Sequence, residues 1–230
     1  MKVKIICGQL EITPGRPDLN YHKIIQTIDE ARSRKADILL LPEMALPGYL
    51  IGDLWEQQSF LDDCEYYAQQ IALHSKDICV MFGSVAVEAG KLNEDGRVRK
   101  YNAAFACHDG KLIGGYQGRS FIIKNSLPNY REFDDCRHFY SLQKLCAEEN
   151  ASVSSALQPL ELTLRGETLR IGDVKIHCFL VPGHTWGHMV YLIDDRYLFT
   201  GDTLWFGADG GYSFISSLAE DNKLAVQSLA

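Results

Sequence analysis

Two short apolar runs with an amphipathic stretch between them constrain the fold of this chain most. Residues 3–10 (VKIICGQL) end at Thr13-Pro14-Gly15, the pattern of a buried strand closed by a turn. After them, Tyr21, Ile24, Ile25, Ile28 and Ala31 recur at helical spacing, and Asp18 or Asn20 is placed to cap that helix. Residues 38–41 are a second fully apolar strand, running into Pro42-Glu43-Met44. Strand, helix and strand at this spacing predict a βαβ unit whose parallel strands are covered on both faces. A second helix is expected over 60–73 and a further strand over 78–85. A hairpin is expected where 101–107 and 111–115 flank His108-Asp109-Gly110. The polar segment 146–155 (CAEENASVSS) reads as an exposed excursion.

Two charged residues follow apolar strand-like runs. Glu43 stands at the carboxyl end of the second strand, where open α/β sheets build their sites. Lys124 ends Phe121-Ile122-Ile123-Lys124 in the same way. Taken singly, each reads as a solvated residue at a strand end. Together, a carboxylate that takes a proton and an ammonium that steadies an oxyanion are the partners an attacking nucleophile needs.

Residues 39–49 (LLLPEMALPGY) and 124–139 (KNSLPNYREFDDCRHF) resemble the carbon–nitrogen hydrolase (nitrilase) superfamily. The likeness is strongest to the glutamine-hydrolysing domain of glutamine-dependent NAD synthetases and covers about residues 1–172. It implies an αββα sandwich that pairs into homo-oligomers, with glutamine as the small-molecule substrate and no cofactor. It also implies roles: Glu43 as general base, Lys124 as oxyanion-stabilising lysine, and Tyr130 helping to hold glutamine. The 230 residues contain no glycine-rich pyrophosphate loop, so the resemblance implies amide hydrolysis with release of ammonia, not NAD formation.

The family's nucleophile is a cysteine just past a buried strand beginning like Leu169-Arg170-Ile171-Gly172. Here Asp173 and Lys175 alternate with Val174 and Ile176, which gives the strand a wet face. Cys178 is the candidate nucleophile. It sits about two residues out of phase, roughly 6–7 Å along a strand, and lacks the acidic residue that follows in the family. Its alternative reading is a buried strand cysteine.

From 173 onward the text changes. Pro182-Gly183-His184-Thr185-Trp186-Gly187-His188 and Leu198-Phe199-Thr200-Gly201-Asp202-Thr203 place a histidine and an aspartate on glycine-flanked turns after short strands. Such residues suit zinc or iron. These two motifs resemble the closing part of metallo-β-lactamase-fold hydrolases of the glyoxalase-II-like kind, and that resemblance implies metal-ligand roles for His184 and Asp202. The HxHxDH ligand cluster of that family is absent. The expected architecture is therefore α/β: an incomplete nitrilase-type αββα sandwich over 1–172, and a metallo-β-lactamase-type segment over 173–230. Three functions follow: amide hydrolysis, metal-dependent hydrolysis, or a non-catalytic fusion of two partial domains.

Composition narrows the partners. A net charge of −7 without a basic cluster argues against nucleic acid or an anionic membrane surface. Seven scattered cysteines without a CxxC pair, after a start with no signal-peptide pattern, are those expected of reduced thiols in the cytoplasm. No apolar run reaches the ~20 residues needed to span a bilayer.

Overall fold

The computed structural model describes residues 3–129, 132–157, 160–164, 167–171, 176–183, 189–193, 195–201, 204–206, 212–213, 219 and 221–228. The chain forms two compact units, Met1–Arg170 and Ile171–Ala230.

The first unit opens with β1 (Ile5–Cys7), α1 (Pro17–Ser33) and β2 (Ile38–Leu40). These are followed by a 3-10 turn (Gly52–Glu56), α2 (Gln58–His74), β3 (Cys79–Leu92), β4 (Val98–His108), β5 (Lys111–Leu112) and β6 (Ile122–Ile123). Three short helices come next, α3 (Asp135–His138), α4 (Leu142–Glu148) and α5 (Val153–Ala156), and then β7 (Leu160–Leu164) and β8 (Glu167–Ile171), which reaches the unit boundary. One six-stranded sheet runs in the order β1-β2-β3-β4-β5, with β6 also paired to β4. The β1–β2 and β2–β3 pairs are parallel, as the βαβ spacing requires. The β4–β5 hairpin turns on Asp109 and Gly110, both at positive φ, which a two-residue turn matched to strand twist needs.

Strand alternation decides which face the helices cover. Leu39, Val80, Phe82, Phe105 and Cys107 form one core with Ile24, Ile28 and Ala31 of α1 and Ala68, Ile71 and Ala72 of α2. Residues of the opposite parity face the other way. There Ile38 and Cys79 are buried, whereas Ile5, Cys7, Leu40, Ala104 and Ile122 are exposed. The expectation that this parallel pair is covered on both faces therefore holds on the helix side and only in part on the other. The apolar runs come from strands whose two faces are both apolar in sequence, and covering one face leaves the same signature as covering two.

Two further expectations are corrected by packing. Neither Asp18 nor Asn20 caps α1; Arg16 precedes the helix, and Pro17 starts it with its fixed φ. Asn20 is instead fully buried. Its side chain accepts from the Thr13 backbone N–H and donates to the carbonyls of Thr13 and Leu46, tying the helix to the loop after Glu43. The segment 146–155 is mostly exposed, as expected, but is largely helical: it holds the end of α4, where Cys146 is buried, and most of α5, whose Ala156 is buried in the same core.

In the second unit β9 (Ile176–Leu180), β10 (Met189–Ile193) and β11 (Tyr197–Phe199) form an antiparallel sheet in the order β11-β10-β9. A two-stranded pair, β12 (Trp205–Phe206) with β13 (Tyr212–Ser213), and α6 (Asn222–Ser228) complete its described elements. Asp221 caps α6 by accepting from the N–H groups of Lys223 and Leu224. A Cβ on Gly183 would lie 2.2 Å from the Ala225 Cα, so the turn and the helix meet backbone to backbone. Among the described residues, no helix is long and apolar enough to cross a membrane.

Candidate active site

The loop carrying Glu43 leaves β2 and is laid flat across β3. Leu41 N–H donates to the Met81 carbonyl, Gly83 N–H to Pro42, and Leu46 N–H to Gly83. Gly83 makes this possible: a Cβ there would lie 2.3 Å from the Met44 nitrogen and 2.6 Å from the Glu43 Cα. The buried bonds of Asn20 hold the far end of the loop, so the carboxylate sits on a braced turn.

Lys124 follows β6, and its backbone N–H donates to the Asn102 carbonyl on β4. Its Nζ lies 2.5 Å from Glu43 Oε1. Asn102 Nδ2 donates to that same oxygen at 2.6 Å. The sequence therefore identified two residues that the fold joins, although 81 positions separate them. A half-open cavity of about 390 Å³ adjoins them, bordered by Glu43, Lys124 and Asn102 and otherwise apolar, with Leu40, Met81 and Ile122 in its wall.

The sequence reading passed over three residues of this cluster. Asp135 is buried and points Oδ2 to within 4.0 Å of the Lys124 Nζ. Tyr49 donates its hydroxyl to Asp135 at 2.5 Å, and Asn102 reaches Asp135 at 3.5 Å. Burial pushes the Asp135 carboxyl above its ordinary value, against the bond from Tyr49 and the charge of Lys124. Burial also raises the Tyr49 phenol, and the bond to Asp135 adds to the rise, so Tyr49 keeps its proton as a donor. Asp135 could have been found as the second acid of the Phe133-Asp134-Asp135 run; Asn102, inside an apolar strand, leaves a signal only as an isolated amide.

The remaining candidates are Cys178, Tyr130, His184 and Asp202. Cys178 belongs to β9, where it pairs with Tyr191 of β10, in the second unit. Tyr130, His184 and Asp202 lie outside the described residues. Among the described residues, no group of three histidines, cysteines or carboxylates could hold a metal ion.

Residues 4–142 match the carbon-nitrogen hydrolase family, and the chain belongs to that family. Its curated relatives include the glutamine-dependent NAD(+) synthetases of Thermotoga maritima, 35% identical over 138 residues, and Aquifex aeolicus, 36% identical over 137. Each alignment covers 60% of this chain and 22% of the relative, so the chain spans under a quarter of the length of these proteins. Among solved structures, the glutamine-dependent NAD+ synthetase of Acinetobacter baumannii superposes with a TM-score of 0.54 and 26% identity, over 74% of this chain and 27% of that one. An amidase from Nesterenkonia sp. shares the fold, with a TM-score of 0.50 and 17% identity over 73% of this chain and 54% of its own. The architecture is thus the nitrilase-type α/β fold.

Proposed function

We propose that this chain hydrolyses the side-chain amide of glutamine and releases ammonia, as the glutamine-hydrolysing part of a synthetase-like protein. The observation that carries the reading is the 2.5 Å contact between Lys124 and Glu43 on a loop that Gly83 and Asn20 hold in place. In this reading Glu43 takes the proton of the attacking thiol, and Cys178 adds to the amide carbon. Lys124 donates to the oxyanion as the carbonyl π bond opens. Collapse expels ammonia, carrying the proton held on Glu43. Water, deprotonated by Glu43, then cleaves the thioester to give the acid and the free thiol. Tyr130 contributes to holding the substrate. The half-buried, neutral Tyr49 and the Asn102 amide keep the carboxylates and the ammonium in register before substrate arrives.

The test is labelling of the purified chain with a glutamine-mimicking electrophile, followed by intact mass and peptide mapping. Rapid single labelling at Cys178 that disappears in Glu43→Gln is the expected result. Slow labelling scattered over the seven cysteines would reject the assignment of the nucleophile.

A further inference from the structure

Two different residues donate to the Glu43 carboxylate, and both bonds end on one oxygen. Lys124 Nζ reaches Oε1 at 2.5 Å and Asn102 Nδ2 reaches it at 2.6 Å. A carboxylate oxygen has two lone-pair directions, so these donors fill Oε1. Among the described residues, no hydrogen bond ends on Oε2. It is therefore the oxygen left to take a proton, on a side chain that is 48% exposed and borders the cavity.

The two donors are held differently. The backbone of Lys124 is pinned, since its N–H donates to the Asn102 carbonyl at 2.9 Å, but its ammonium ends a flexible four-carbon stem. Asn102 carries its amide on a single methylene, within β4 and opposite Val85 of β3, and is 3% exposed. The same Nδ2 lies 3.5 Å from Asp135 Oδ2, so two carboxylates stand on the nitrogen side of this amide. Turned over, the amide would set its own oxygen against both of them, which fixes its orientation. Asn102 thus holds Glu43 through its side chain and Lys124 through its backbone.

The amidase reading asks Lys124 to change partner. At rest its ammonium lies on Glu43; as the amide carbonyl opens, it must face the oxyanion. With Lys124 as the only donor, the carboxylate would be drawn along with the ammonium and away from the thiol. We infer that Asn102 is the positioning residue that keeps Glu43 in place during this change and makes Oε2 the basic oxygen. The thiol proton passes to Oε2, and Nζ turns from Oε1 to the oxyanion while the Asn102 bond stays. The part played in turnover rests on the amidase reading; the hold of Asn102 on Oε1 without help from Lys124 does not.

The test reads that hold without activity. Exchange of the Asn102 side-chain amide protons with water is followed by NMR in the full chain with labelled asparagine. The parent, Lys124→Met and Glu43→Ala are compared. Lys124→Met is expected to keep the exchange rate within about threefold of the parent. Glu43→Ala is expected to raise it about tenfold or more, the worth of a hydrogen bond to a charged group. Equal acceleration in both variants, or none in Glu43→Ala, overturns the proposal. Assignment through the Asn102 backbone means that no Asn102 variant has to fold for this comparison. In a chain that hydrolyses glutamine, Asn102→Ser is expected to lower kcat roughly 10- to 100-fold with KM little changed, the scale of a base misplaced by about 1 Å. An unchanged kcat, or a rise in KM that accounts for the whole loss, overturns the role in turnover. Protection that survives in Lys124→Met without any hydrolysis by the parent leaves the hold standing and rejects the amidase reading alone.

Discussion

Two lysine–glutamate pairs each touch a side chain of α3, and their contrast separates a strut from a candidate site. Lys100–Glu56 and Lys124–Glu43 have nearly equal separations, 2.6 and 2.5 Å. The first lysine side chain is 1% exposed and the second 29%; their glutamates are 26% and 48% exposed. Glu56 is saturated by Lys100, His138 and Arg97. Burial alone would raise its carboxyl, but these cationic and donor partners outweigh that and hold it below its ordinary value. Glu43 accepts from Lys124 and Asn102, stays about half exposed and lines the cavity. A pair whose capacity is filled by protein can only hold the fold; one that opens onto space can exchange a proton with a guest.

The largest effect that would sharpen the contrast is on turnover. Glu43→Gln is expected to lower kcat/KM for glutamine hydrolysis by about 10²–10⁴, the worth of a positioned general base, with the urea midpoint little changed. A variant that loses stability instead would make Glu43 a strut as well.

Removing the other lysine should do the opposite. Lys100→Met is expected to cost about 1–3 kcal/mol of stability, because Glu56, 26% exposed, loses its nearest cation and keeps only Arg97 and His138. Lys124→Met should cost at most about 1 kcal/mol, in line with partly exposed ion pairs. Urea unfolding of both decides. The double variant Lys100→Met with Glu56→Gln should recover part of the loss, since no charge is then stranded.

Gly83→Ala tests how the site loop is seated. Its Cβ would meet the backbone of Glu43 and Met44, so a loss of about 1–3 kcal/mol is expected, the usual cost of overpacking. Stability equal to the parent would mean that the loop need not lie against β3.

The smallest effects are in pH dependence, and the two regions should differ in sign. The Glu56 carboxyl is depressed in the native state, so its stabilisation is present above the ordinary carboxylate range and lost as pH falls through the native value. The Asp135 carboxyl is raised, so the native state gives up stability as pH climbs from the ordinary range through its native value. Stability measured across pH should therefore lose its acid-side decline in Glu56→Gln and gain at neutral pH in Asp135→Asn. Identical slopes in both variants would show that the two carboxyls do not differ.

Glu43 and Lys124 were legible only as a pair: each ends an apolar run, where a single charge reads as a solvated strand end, and together they offer the carboxylate and ammonium that a nucleophile needs. Lys100 and Glu56 gave no such signal. Lys100 lies in a basic stretch, Arg97 to Lys100, that reads as surface, and only the crossing of β4 over the 3-10 turn buries it. His138 was likewise passed over as one histidine among seven, since its role depends on what lies 82 residues earlier. The cap expected of Asn20 failed for a similar reason: a polar residue near a helix start serves local or distant backbone equally well, and here the carbonyl of Leu46 won.

The sequence by itself determined the βαβ start with its parallel β1–β2 pair, the hairpin at Asp109-Gly110 and the two charged residues that the fold brings together. These follow from periodicity, turn chemistry and the cost of burying charge, which act within a few residues of chain. Only the tertiary structure decided which lysine–glutamate pair is enclosed and which opens onto a cavity, which face of the sheet the helices cover, and that Asp135 and His138 tie the two pairs together. Solvent access and distant partners set those outcomes, and both are properties of three-dimensional packing that local sequence does not encode.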